Sequence, residues 1–292
     1  MKIAACIKWV PDPDYPLPST ASGVRLDVPG LTYMASPVDM VACEAAVRLK
    51  EGADGSVNLV TAGPAASEAA LRSGLALGAD HATRLDVGVG GFTDATRTAR
   101  VLATALAMEA PDIIVCGSRS PDSGAGAVPA MVAEWLGMPL VTHVVSITGM
   151  NPLVVERRLE GGRREVLHVQ PPVVIAVEES LCEPRYPPVL ARRKADRADI
   201  TVRSPAELGI DVPESAVTLV RLQGPRPLAT RLVAPPHELS ARERLAYVLA
   251  GGPDQRRTAS RLEGPPSVVI DQVLSFLEEN GAIGSSAGGN SP

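Results

Sequence analysis

The chain has 292 residues and a formal net charge of −5, so it is long enough for one large domain or two smaller ones and lacks the global positive charge that draws proteins to nucleic acid or anionic lipid. Hydrophobic residues make up 45% and aromatic residues only 3%, so Val, Leu, Ile and Ala must build the core. No apolar run reaches the ~18 residues of a membrane span, and four scattered cysteines, Cys6, Cys43, Cys116 and Cys182, read as reduced thiols of a cytoplasmic protein.

In chain order, "KIAACIKWV" reads as a buried first strand rather than a signal peptide, stopped by Pro11 and Pro13. Loop signals continue to about Tyr33. "SPVDMVACEAAVRLKEG" then reads as a helix, with Ser36 as N-cap, Pro37 at the first helical position, Asp39 complementing the dipole and Gly52 ending it. A strand "SVNLVTAG", a helix "PAASEAALRSGLALGA" closed by Gly78, a weaker strand "HATRLDV" and a helix "FTDATRTARVLATALAMEA" follow. "PDIIVCG" is a continuous apolar strand and "GAVPAMVAEWLG" a helix ended by Gly137. Strands alternating with helices over short connections imply βαβ units and a parallel sheet covered on both faces.

From about Val141 the pattern changes. "THVVSITGMNPLVVERRLEGGRREVLHV" alternates apolar and polar residues around two turns, which reads as antiparallel ribbon. "PPVVIAV" is one more buried strand. Beyond Cys182 the composition shifts to Pro, Arg and Asp, and two amphipathic helices, "SARERLAYVLAGG" and "PSVVIDQVLSFLEENGAI", come near the end. The fold class is α/β: a doubly wound, mainly parallel sheet with helices on both faces, an antiparallel ribbon, and an extended C-terminal arm with helices. The domain reading is 1–180 for the nucleotide-binding-like domain, 181–200 for a basic connecting loop, 201–283 for the arm and its helices, and 284–292 for a disordered tail.

Ligands of open α/β sheets sit at the carboxyl ends of the strands. Three such ends are rich in small residues here: Cys6 and Lys8; Ala62 and Gly63; and "CGSRSPDSGAGAV", with Asp122, Gly124 and Gly126 just before a helix. The last can present backbone N–H groups to a phosphate. It has no Gly-Lys-Ser/Thr, so it is not a Walker loop. Tight strand-to-helix turns need glycine in any case, so a nucleotide and a purely structural role both stay open. His81, His143, His168 and His237 stand isolated, and His168 reads as a satisfied structural histidine on a strand. Glu156, Glu160 and Glu165 read as solvated charge beside a turn. No nucleophile, acid–base pair or metal motif assembles, which suggests a protein that holds a cofactor or partner without bond chemistry of its own.

"VERRLEGG", "EVLHVQPPVVIAV" and "LCEPRYPP" follow one another from Val155 to Pro188. On residues alone they are a hairpin, a core strand and a basic linker. In this order they resemble the signature of the electron transfer flavoprotein β subunit family. "IKWVPD", "SPVDMVACEAAVRLKE", "AGPAASEAALRSGLALGAD" and "CGSRSPDSGAGAV" fall in register with further marks of that family, so the resemblance spans about Met1 to Asp211.

The resemblance implies one half of a heterodimer. FAD is held mainly by an α subunit, and the β subunit buries an AMP or a second FAD. The pair carries electrons from flavin-dependent dehydrogenases to a quinone reductase or another acceptor, with no nucleic acid and no membrane insertion. Residues 201–283 would clasp the α subunit. The loop "RYPPVLARRKADR" would dock dehydrogenases. In it Tyr186 closes the motif, Val189 or Leu190 is the apolar anchor, Pro187 and Pro188 stiffen it, and Arg192, Arg193 and Lys194 steer acidic partners. Cys6, Ser36, Ala62 and Gly63 would line adenosine, with Asp122, Gly124, Gly126, Ala127 and Val128 cradling phosphate and Lys8 as a further cofactor-binding residue. That loop departs from the family pattern: a second acid, a Gln and a Gly are missing, and Pro129 removes a backbone donor. Weakened or lost nucleotide binding is the expectation. The alternative reading is a stand-alone adenine-nucleotide sensor of the same fold.

Overall fold

The computed structural model describes residues 1–15, 31–87, 94–149, 152–209, 235, 239–249 and 264–279. It divides into two compact units, Met1–Gly224 and Pro225–Pro292. In chain order the strands are β1 (Lys2–Cys6), β2 (Trp9–Pro11), β3 (Tyr33–Ala35), β4 (Ser56–Ala62), β5 (His81–Leu85), β6 (Ile113–Gly117), β7 (Leu140–Thr148), β8 (Leu153–Arg158), β9 (Arg164–Val169), β10 (Val173–Val177) and β11 (Thr201–Arg203). The helices are α1 (Pro37–Ala53), α2 (Glu68–Leu77), α3 (Ala95–Glu109), α4 (Val128–Leu136), α5 (Val189–Asp196), α6 (Ala241–Leu249) and α7 (Pro266–Glu279).

One nine-stranded sheet runs β11-β5-β4-β1-β6-β10-β7-β8-β9. Pairings from β11 across to β7 are parallel, and β7-β8 and β8-β9 are antiparallel. The chain builds outward from β1 through β4 and β5, then returns to β6 on the other side, so strand order reverses between β1 and β6. The central strands are apolar on both faces because both faces are covered. Ile3, Ala5, Leu59, Val115 and Ile175 pack beneath α1 and α2, while Ala4, Val60, Ile114 and Val174 pack beneath α3 and α4. Gly78 and Gly137 end α2 and α4 at positive φ, as expected.

Several local expectations need correction. "KIAACIKWV" is two strands, not one. It breaks at Lys8, whose N–H bonds a side chain and whose carbonyl accepts Ser36 N–H at 2.9 Å. Trp9–Pro11 then pairs with Tyr33–Ala35 as a separate antiparallel ribbon. Helix α1 runs past Gly52 to Ala53, and Asp54 takes the left-handed cap position. The stretch "VLARRKAD", read as loop, is helical. Residues 201–203, read as the start of the arm, pair with β5 at the sheet edge, and Leu208 is buried against the same core. His168 is exposed, because it lies on the outer face of edge strand β9.

Glu156 and Glu165 pair across strands with Arg164 and Arg157 at 2.9 and 2.6 Å, which holds the ribbon's register. In the second unit, α6 and α7 form where amphipathic helices were expected. Val268, Ile270, Val273, Leu274 and Phe276 of α7 are exposed. The segment 210–234, His237 and the tail 284–292 lie outside the described residues. No helix among the described residues is long and apolar enough to cross a membrane.

Candidate functional site: the carboxyl edge and helix α5

The sheet's carboxyl edge between β1 and β6 is organised by Asp39, in the first turn of α1. One carboxylate oxygen accepts Lys8 N–H and the other accepts Gly117 N–H, both at 3.0 Å. Burial pushes the Asp39 carboxyl up to about 6, against the pull of those N–H donors, Ser36 and the Lys8 charge. Gly117 must be glycine, since a Cβ there would run into the Asp39 carboxylate and stand 2.6 Å from Val38 Cγ1. Ser36 occupies the helix cap position, but its side chain makes no capping bond. Its hydroxyl is buried beside Asp39, close enough to favour the ionised carboxyl yet making no hydrogen bond of good geometry.

The expected nucleotide residues gather on this edge. Lys8 Nζ reaches across the switch point to Asp122 at 2.7 Å and to Ser120 Oγ at 3.2 Å. Burial works to raise the Asp122 carboxyl, but Lys8, Ser120 and the Ser123 N–H carry it below the ordinary carboxylate value. Gly124 and Gly126 both adopt positive φ, as a tight loop requires. Ala127 and Val128 open α4. Within the loop, Ser123 N–H is taken by Asp122 and Gly124 N–H by Ser120 O. Cys6 ends β1 beside Cys116, and Cys6 together with burial pushes the Cys116 thiol well upward. All four cysteines are free. Ala62 ends the neighbouring strand β4 and Gly63 follows it, where a Cβ would stand 2.9 Å from Ser67 Oγ.

Small residues stand at this edge, but Cys6 and Ser36 are buried. The phosphate end fits poorly. Its cation and its anion satisfy each other, two loop amides are used internally, and Pro129 has no N–H to offer. Sequence reasoning placed Lys8 and Asp122 correctly on one edge but missed Asp39 as its keystone. Among the described residues, no group of three His, Cys, Asp or Glu could hold a metal ion.

The second cluster surrounds α5. Tyr186, Val189 and Leu190 expose 83%, 66% and 78% of their surface. Arg192, Arg193 and Lys194 are exposed, and the Arg192 guanidinium lies 4.7 Å over the Tyr186 ring. Just before this patch, Arg185 forks onto α1. It bonds Glu44 at 2.9 Å and Glu51 at 2.6 Å. The Glu44 side chain is 1% exposed and also meets Arg48 at 2.6 Å. Burial works to raise its carboxyl, but the two guanidiniums overcome this and hold it low. The sequence carried a signal for this clamp: an acid inside the small apolar run "VACEAAV", four residues before an arginine.

His143 is not isolated, because its Nδ1 lies 2.7 Å from Glu178, which also meets Arg158 at 3.3 Å. A polar cavity of about 470 Å³ opens beside them, lined by Ser118, Arg119 and Arg158 among others.

Fold and sites together define a class: an open, doubly wound α/β chain with a polar cleft at its strand ends and an exposed apolar and basic helix packed on α2. A model of the electron transfer flavoprotein domain matches residues 30–208. The chain is 34% identical over 241 residues to the electron transfer flavoprotein subunit beta of Mycobacterium tuberculosis, covering 78% of this chain and 90% of that protein. It is 34% identical over 216 residues to the subunit of the same name from Thermoanaerobacterium thermosaccharolyticum, covering 72% and 81%. Against Protein FixA of Azorhizobium caulinodans it is 31% identical over 248 residues, covering 80% and 85%. The chain belongs to the electron transfer flavoprotein β subunit family.

Proposed function

We propose that this chain is the β subunit of a heterodimeric electron transfer flavoprotein. It packs against an α subunit that holds most of the FAD, and the pair carries electrons from flavin-dependent dehydrogenases to a quinone reductase or another acceptor. The observation that carries this reading is the match to a named β subunit over 90% of that relative's length. Such names favour a partnered chain over a stand-alone nucleotide sensor. Its four free thiols suit the cytoplasm.

The flavin supplies the redox chemistry, and the residues of this chain bind and position. Val189 and Leu190 present an apolar anchor, and Tyr186 widens it under the Arg192 guanidinium. Pro187 and Pro188 restrict the backbone ahead of it, so less entropy is lost on docking. The exposed Arg192, Arg193 and Lys194 give a locally positive patch on a net-negative chain, which speeds encounter with acidic partners. The exposed apolar residues of α7 suit burial against the α subunit. At the carboxyl edge the Lys8–Asp122 pair leaves little for a phosphate, so AMP or a second FAD is held weakly or not at all.

Co-expression with a candidate α chain tests the assignment. A yellow 1:1 complex with a flavin spectrum is expected. Two chains that elute separately, with this one colourless, would overturn it.

A further inference from the structure

Helix α5 carries the exposed anchor residues, yet little in its own sequence stabilises it. It has eight residues, far too few for an isolated helix to persist in water. Of these only Ala195 is buried, and no side chain caps its N-terminus. Arg193 and Lys194 complement the dipole in its last turn, but they are exposed, where such a charge contributes only modestly.

An arginine from another helix closes its far end. Arg72, on α2, donates from Nη1 to the carbonyl oxygens of Ala195 at 2.7 Å, Asp196 at 2.8 Å and Ala198 at 3.2 Å. The last carbonyls of a helix have no partner within it, and a cation there also complements the dipole. Bonds from a guanidinium are the stronger, charge-assisted kind. Arg72 is in turn backed by Glu68 at 3.8 Å, and Glu68 is held by the buried Arg84 at 3.0 Å. Arg84 also donates to Gly63 O at 3.2 Å, so the support runs back to the end of β4.

We propose that Arg72 is a positioning residue for partner docking: its guanidinium fixes the C-terminal turn of α5 and so the direction in which Val189 and Leu190 project. The inference rests on the docking reading of α5 given above. Arg72 acts through the helix and is not itself part of the anchor.

Amide hydrogen exchange on the purified full complex tests the first half. In Arg72→Ala the amides of residues 192–198 should exchange about tenfold faster, while those of the central sheet stay as in the parent. Arg72→Lys should restore much of the protection, because an ammonium reaches the same carbonyls, and Arg72→Met should not. Unchanged exchange in Arg72→Ala overturns the proposal. The second half uses a dehydrogenase whose electron delivery Val189→Asp slows. With it, Arg72→Ala should lower kcat/KM about tenfold at unchanged kcat and FAD content, with rescue by Arg72→Lys. Faster exchange with unchanged kcat/KM would overturn the docking role and leave Arg72 a local brace. If Val189→Asp slows no dehydrogenase, the docking reading itself fails, and the exchange result still decides whether Arg72 orders the helix.

Discussion

The Asp39 carboxylate accepts the Gly117 N–H at 3.0 Å, joining residues 78 apart in sequence at the point where strand order reverses. Its other oxygen accepts Lys8 N–H, so a single side chain on α1 fastens the ends of β1 and β6. That edge is where a doubly wound fold places its ligands.

Asp39 makes stability depend on pH in a definite direction. Its folded value of about 6 exceeds the ordinary 3.8. Between those values the folded chain binds more protons than the unfolded one, so this contribution weakens as pH rises from about 4 to about 6. By neutral pH the ionised group costs about 3 kcal/mol. Asp39→Asn removes the titration. Urea unfolding of both proteins should show the variant gaining about 3 kcal/mol relative to the parent between pH ~4 and pH ~7. A difference that stays constant with pH contradicts the assignment.

Gly117→Ala should destabilise by about 2 kcal/mol, because the new methyl meets both Asp39 and Val38. Thermal melting checks this, and an unchanged Tm would mean that the edge yields more readily than its packing indicates.

Arg185→Ala strips the buried Glu44 of one of its two guanidiniums and should cost about 3 kcal/mol at neutral pH. Because Glu44 titrates below its ordinary value in the folded chain, the stabilisation is present above that ordinary value and fades as pH falls through the folded one. The penalty measured by urea midpoint should therefore shrink in acid. An equal penalty at low and neutral pH would show that Arg185 acts through packing alone.

Val189→Asp places a charge on the exposed face of α5 without touching the core. Electron acceptance from a dehydrogenase should slow by about tenfold or more with FAD content unchanged. Equal rates for variant and parent would remove the docking role.

Acid extraction of the purified complex should release well under one equivalent of AMP, given the Lys8–Asp122 pair and Pro129. A stoichiometric yield would mean that this pair opens to admit a phosphate.

The central strands were legible in the sequence because a strand buried on both faces must be apolar throughout, as Ile113–Val115 and Val173–Val177 are. The carboxyl edge was legible in part, since small residues at strand ends mark it, and Lys8 and Asp122 do meet there. Helix α5 was not, because the side chain that bonds its last carbonyls, Arg72, lies outside it on α2. The same holds for β11, whose Thr-Val-Arg carries no apolar pattern and gains its place only by pairing with β5. Asp39 looked like an ordinary first-turn acid. Its two partners, Lys8 just past β1 and Gly117 at the end of β6, are distant in sequence, and nothing local announces them.

We propose that this chain serves a flavin shuttle without a reacting centre of its own. Rapid mixing of the purified pair with a reduced flavin dehydrogenase, followed by flavin absorbance, tests it most directly. The flavin of the pair should bleach on mixing, while this chain alone shows no flavin and takes up no electrons. A complex whose flavin stays oxidised with every such donor, or an isolated chain that accepts electrons unaided, would contradict it.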